Sequence, residues 1–223
     1  MKSLSFLPHD GAQVFLAIAL MSVFLCGGCI SRPPLQKETF NFSIPAACIQ
    51  KSVTSDRSLR IRNLEIARAF EGRALIYRTG EFTYVRDPYA EFLESPADEL
   101  TAAVREGLCK EGVFRSVVEA GNALKPDTLV EISVSQLYGD FRQPQRPAAV
   151  MTMRFVFLDA PNGFPGKELF QREYSRSIPL PQPSAAALME GWNQALTEIL
   201  TSVSSDLRHS PNMTSQNQLH AQK

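Results

Sequence analysis

Polar and apolar positions alternate with a period of two in several stretches of the chain, the pattern of a half-buried strand. Glu38–Ile44 places Phe40 and Phe42 on one side. Ser58–Ala67 offers Leu59, Ile61 and Leu64. Ala74–Arg78 and Glu81–Arg86 flank Thr79-Gly80 and predict a β-hairpin. Phe114–Glu119 reads as a short strand. Thr128–Tyr138 sets Val130, Ile132 and Val134 against Glu131, Ser133 and Ser135. Ala149–Leu158 puts Met151, Met153, Phe155 and Phe157 on one face, and Asn162-Gly163 leads to a return strand, Glu168–Ile178. These last three predict an antiparallel meander.

Two stretches switch to helical periodicity. Ser95 stands as N-cap before Pro96, with Asp98 completing an S-x-x-D pattern and Gly112 as terminator. Leu100, Ala103, Val104 and Leu108 form its apolar stripe. The second helix runs from Ala185 to Leu207 behind Ser184, with Leu188, Trp192, Ala195, Ile199 and Val203 in 4-3-4-4 spacing. That stripe predicts Trp192 as core. The order of strands, helix, strands, helix predicts an α+β fold: a single, largely antiparallel sheet with two main helices packed on one face.

The first 28 residues stand apart. Val14–Leu25 is an apolar run interrupted only by Ser22, too short for the ~20 residues of a membrane-spanning helix and matched to the core of a secretory signal. It leads into Leu25-Cys26-Gly27-Gly28-Cys29, which resembles the bacterial lipobox. In that resemblance Cys29 is the lipid-attachment residue, carrying palmitate or similar chains, because two small residues precede it. Cys26 follows bulky Phe24 and Leu25. Ile30 after Cys29, rather than Asp, favours outer-membrane sorting by resemblance to enterobacterial rules. The expected organisation is a lipoprotein signal peptide (1–28), an acylated N-terminus and tether (29–37) stiffened by Pro33 and Pro34, an α+β domain (38–208), and a disordered tail (209–223).

Charge narrows the function classes. Lys plus Arg and Asp plus Glu number 23 each. A balanced chain lacks the basic footprint of a nucleic-acid binder, so no nucleic-acid partner is expected. The three histidines, His9, His209 and His220, fall in the signal and the tail. Without histidine in the domain, serine–histidine or cysteine–histidine catalysis and histidine-based zinc sites have no basis. No nucleophile elbow, phosphate loop or dinucleotide fingerprint is present. The reading is a non-enzyme, with no cofactor, metal or catalytic residue. The acidic group Asp87, Glu91, Glu94, Asp98 and Glu99 reads as a solvated helix start. An oxidising envelope would permit one disulfide between Cys48 and Cys109, and a buried free thiol at Cys109 is the alternative.

Binding is then the default role. Tyr77, Phe82, Tyr84 and Tyr89 gather around one hairpin and its exit, either as a contact surface or as core beneath the C-terminal helix. Tyr77, Arg78, Phe82 and Tyr84 are the candidate partner-contact residues.

Ile76-Tyr77-Arg78, Phe82-Thr83-Tyr84, the segment Asp87–Phe92, the following helix, the strand Leu129–Phe141 and the terminal Ala-rich helix together resemble the ABC-type transport auxiliary lipoproteins, the PqiC-like group. The resemblance covers most of Glu38–Arg208. It implies a lipid-anchored, periplasm-facing component of an MCE-type (mammalian cell entry) transport system for phospholipid or related hydrophobic compounds. Its partners would be an MCE-domain protein with its permease and ATPase, and the membrane through acyl chains. A hydrophobic ligand and a homo-oligomer are further associations compatible with it. The alternative is a structural envelope lipoprotein assisting assembly of an outer-membrane complex.

Overall fold

The computed structural model describes residues 37–43, 55–119, 121 and 123–214. The chain divides into two units, Met1–Gln36 and Lys37–Lys223, and every described residue belongs to the second. That unit contains β1 (Glu38–Phe40), β2 (Ser55–Ile66), β3 (Ala74–Arg78), β4 (Tyr84–Phe92), α1 (Pro96–Glu111), β5 (Phe114–Val118), β6 (Thr128–Asp140), β7 (Ala148–Asp159), β8 (Glu168–Pro179), α2 (Ala185–His209) and the single turn α3 (Pro211–Thr214).

All eight strands join one sheet. β6 is its spine. β7 pairs antiparallel along one edge of β6, and β8 pairs antiparallel with β7, which is the expected meander. The other edge of β6 is shared end to end: β2 takes Thr128–Val134 and β3 takes Gly139–Asp140, both parallel. Beyond them, β5 adds parallel to β2, β4 adds antiparallel to β3, and β1 adds parallel to β4.

The expectation of a largely antiparallel sheet is therefore corrected. Four of the seven pairings (β1–β4, β2–β5, β2–β6, β3–β6) are parallel, and the sheet is mostly parallel by this measure. Alternation reports which face a side chain takes, and this is the same for either strand direction. The connection from β2 to β6 contains the hairpin, α1 and β5, so no turn signal reveals how they pair.

α1 packs on β2 and β5, α2 packs on β7 and β8, and the helices touch each other. Ala149, Met151, Met153, Phe155 and Phe157 of β7 are fully buried beneath them. From α2, Leu188, Trp192, Ala195, Ile199 and Val203 are equally buried, so the predicted stripe is the packing face. Ser184 Oγ accepts from Ala187 N at 3.3 Å and caps α2. Trp192 Nε1 donates to the Val150 carbonyl at 3.1 Å, so burying the indole leaves no orphan donor. Gly191 sets the approach of α2: a Cβ there would lie 2.7 Å from Ala149 Cβ and 2.6 Å from Leu180 Cδ2.

The α1 cap differs from its expectation. Ser95 makes no side-chain cap bond. Glu99, in the first turn, instead accepts two amides from outside the helix, Glu94 N at 2.9 Å and Phe42 N at 3.0 Å. Gly112 closes the helix at φ 67°, the left-handed conformation that glycine adopts without strain. At the other end of the chain, α2 runs on through His209, and α3 buries Met213. Packed structure thus continues past the boundary expected at Arg208. The expected disorder of 215–223 lies outside the described residues.

Candidate functional site

The β3–β4 hairpin carries the four candidate contact residues and sorts them onto different surfaces. Its turn is closed by Thr79 N donating to the Thr83 carbonyl at 3.0 Å. Arg78 lies opposite Tyr84, Tyr77 opposite Val85, and Ile76 opposite Arg86. Directly opposed residues share a face, so Ile76, Arg78, Tyr84 and Arg86 lie together on the face away from the helices.

Tyr77 points to the helix side. Its ring stacks on Phe141 with centroids 4.8 Å apart, and its phenol donates to the Asp87 carboxylate. Burial, and then this hydrogen bond to an anion, push the phenol pKa well above its ordinary value. Tyr77 is thus a brace, half-buried, and not an open contact. Arg78 donates to the Glu81 carbonyl at 2.7 Å, and its guanidinium carbon lies 5.7 Å from the centre of the Tyr84 ring. Phe82, at the tip, is 88% exposed. Tyr84, Val85, Tyr89 and Leu93 are also exposed. Phe82, Tyr84 and Tyr89 are therefore not core beneath the C-terminal helix.

Behind the tip, Tyr84 joins Phe70 and Tyr138. Phe70 stacks on Tyr138 at 5.8 Å, and Tyr84 meets Tyr138 edge-on at 5.5 Å. Neither partner was named from the sequence. Tyr138 reaches this face because a bulge between Val134 and Gln136 shifts the register of β6. Before the bulge Val134 faces Met153 on the helix side; after it Leu137 faces Met151 there, and Tyr138 turns outward. Broken alternation at Gln136-Leu137-Tyr138 is the signal that could have found it.

The acidic cluster is dispersed into structural work. The Asp87 carboxylate accepts Tyr89 N at 2.7 Å and Ala90 N at 3.1 Å. Glu91 pairs with Lys37 at 2.8 Å and with Arg73 at 3.0 Å. The Lys37 hydrogen bond, aided by the charge of Arg73, holds the Glu91 carboxyl below its ordinary pKa. Glu99 fastens the segment after β1 to α1, as above. Among the described residues no group of three or more His, Cys, Asp and Glu could hold a metal, and no helix is long and apolar enough to cross a membrane. His209 closes α2, with Nδ1 2.7 Å from the Ser205 carbonyl.

Cys109 is half-buried on α1 and disulfide-bonded. Cys48, named from the sequence as its partner, and Cys29, named as the lipid-attachment residue, lie outside the described residues.

Residues 39–204 match the family model described as the ABC-type transport auxiliary lipoprotein component. The chain belongs to this auxiliary lipoprotein family. The matched span opens in β1, closes in the last turns of α2, and contains the whole aromatic hairpin. As an auxiliary lipoprotein, the chain is a component of an ABC-type transport system associated with the cell envelope. Its fold is similar to that of a crystallised protein from Xanthomonas campestris, with a TM-score of 0.62 at 17% identity, over 81% of this chain and 98% of that one. A second crystal structure, of an uncharacterised protein, gives a TM-score of 0.61 at 12% identity, over 77% of this chain and 99% of that one. At these identities the likeness shows the fold alone. No curated protein matches the chain in sequence.

Proposed function

We propose that this auxiliary lipoprotein is the docking component of an MCE-type ABC transport system that moves phospholipid or a related hydrophobic compound. In this reading Cys29 carries the acyl chains. The tether sets the reach of the domain from the membrane, which is the outer membrane, and the domain faces the periplasm. Each buried acyl methylene contributes ~0.8 kcal/mol, so two or more chains give durable attachment. The contribution of the domain is contact, not chemistry. Energy comes from the ATPase of the assembly, and the MCE-domain protein with its permease are the partners.

The observation that carries the reading is the hairpin surface. In a family of transport auxiliaries, a hairpin built into the sheet exposes Phe82, Tyr84 and Tyr89 while Tyr77 and Asp87 brace it from behind. Aromatic side chains displayed on a braced element are the anchors that protein interfaces favour.

Crosslinked affinity purification of the full-length protein from native membranes, with mass spectrometry of its associates, tests this. Enrichment of an MCE-domain protein with its permease is expected. Reproducible enrichment of a different outer-membrane assembly, without an MCE protein, would move the role to a structural envelope lipoprotein.

A further inference from the structure

The face of the hairpin away from the helices holds a cleft of about 230 Å³, lined by Ala69, Phe70, Ile76, Tyr84, Val85 and Arg86. Its walls are apolar, and Phe70 and Ile76 are buried. An apolar cavity of ~150 Å³ holds a six-carbon ring, so by proportion this cleft accommodates a segment of roughly nine carbons.

The rim has the opposite character. Arg78 and Arg86 share the face of Tyr84, and among the described residues neither forms an ion pair with a carboxylate. Arg78 Nε is buried and has no hydrogen-bond partner. Arg86 makes one long contact, 3.4 Å to the Ala69 carbonyl. Arg142, the other cation near Tyr84, is neutralised by Asp140 at 2.6 Å. Arg78 lies beside Asp140 in the sheet and its charge helps hold that carboxylate ionised, which leaves Arg86 as the less compensated cation beside the apolar cleft. An apolar cleft with a guanidinium at its rim complements a molecule with one apolar tail and one anionic head.

We propose that the cleft binds one acyl-chain segment of an anionic amphiphile, with the head group on Arg86. A phospholipid phosphate and a fatty-acid carboxylate share this chemistry. The inference deepens the transport reading, because it makes the docking hairpin also a contact for the transported class of compound.

The test uses the full-length acylated protein in phosphatidylcholine vesicles. The vesicles contain a trace of one probe with a diazirine in mid-chain: phosphatidylglycerol, a free fatty acid, or phosphatidylcholine itself. After irradiation, peptide mass spectrometry locates the crosslinks. Labelling of Ala69–Ile76 and Tyr84–Arg86 by the anionic probes supports the cleft. Labelling by phosphatidylglycerol alone assigns a phospholipid, and labelling by the fatty acid alone assigns a carboxylate. Ala69→Trp replaces an exposed wall residue with one that fills the cleft, and removes this labelling. Arg86→Glu lowers it about tenfold, the effect of replacing an attractive charge by a repulsive one. A thermal melt of each variant establishes that it is folded. Absence of crosslinks from these peptides overturns the proposal. So does equal labelling by the zwitterionic probe that Arg86→Glu leaves unchanged. Unlabelled protein that still captures the MCE assembly removes the cleft and leaves docking in place. A labelled cleft without capture does the reverse.

Discussion

The carboxylate of Glu99 accepts the backbone N–H of Phe42 at 3.0 Å across 57 residues of sequence. This bond fixes the chain where it enters the domain. Phe42 then stacks on Phe92 at 5.6 Å, and Phe92 stacks on Trp192 at 5.7 Å. One carboxylate and three aromatic rings thereby tie the entry segment, β4, α1 and α2 together. Glu99→Ala leaves the amides of Phe42 and Glu94 without their acceptor and should destabilise the domain by about 1–3 kcal/mol in urea denaturation. Glu99→Gln, which keeps a carbonyl acceptor, should lose less. Equal losses would mean that these two hydrogen bonds are not the source of the effect.

Trp192 has no exposed surface and a satisfied N–H. Trp192→Ala should cost about 3–5 kcal/mol, and Trp192→Phe less, because it retains the ring contact with Phe92. An unchanged melting temperature for the alanine variant would contradict the core assignment.

Phe82 is the complementary case. At 88% exposure it contributes little to the fold, so Phe82→Ser should leave stability within about 0.5 kcal/mol of the parent. The same change should reduce capture of the MCE assembly. Full capture by a stable Phe82→Ser protein would move the docking surface off the hairpin tip.

Cys29→Ser should abolish acylation and either release the protein from membranes or leave it unprocessed. Membrane fractionation with intact-mass measurement reads both outcomes. An acylated, membrane-bound Cys29→Ser protein would refute the anchor position.

Alkaline pH should weaken the fold through two tyrosines. Tyr77 donates to Asp87, and Tyr174 donates to Asp206 at 2.7 Å. Burial first, and then the carboxylate, raise both phenol pKa values above the unfolded value of about 10. The unfolded phenol therefore ionises first. The stabilisation is fully present below about pH 10 and declines as pH rises toward the folded pKa. Denaturation midpoints measured from pH 8 to pH 11 should fall more steeply for the parent than for a Tyr77→Phe/Tyr174→Phe double variant. Parallel curves would mean that these pairs do not set the alkaline limit.

Local features of this fold were legible because local chemistry decides them. The five-residue stripe of α2, its Ser184 cap, the left-handed Gly112 and the 128–178 meander all follow from side-chain period and end signals. Strand direction was not legible, because β2 and β3 find β6 only after the hairpin and α1 have been laid down. The expected side-chain bond of Ser95 is not made, and Glu99 instead holds the amides of Glu94 and Phe42, the latter a residue that sequence spacing cannot bring near. At the candidate site the exposed tyrosines and Phe82 were readable as a group. The inward turn of Tyr77 and the arrival of Tyr138 were not, since both depend on register across strands far apart in sequence.

The shared edge of β6 also dictates an order of assembly. Before Thr128 is available, β2 can find only the short strand β5, and β3 can find only its own hairpin partner. α1 can pack on β2 and β5, but nothing before Thr128 joins that half to the β3–β4 hairpin. A chain that emerges N-terminus first, as in synthesis or export, thus carries residues 38–127 as two halves that stay unjoined until β6 is delivered. When β6 arrives it joins both halves at once, and β7 and β8 then zip on in sequence. Folding of this domain should be late and all-or-none, and the amides of β6 should be the last to exchange with solvent.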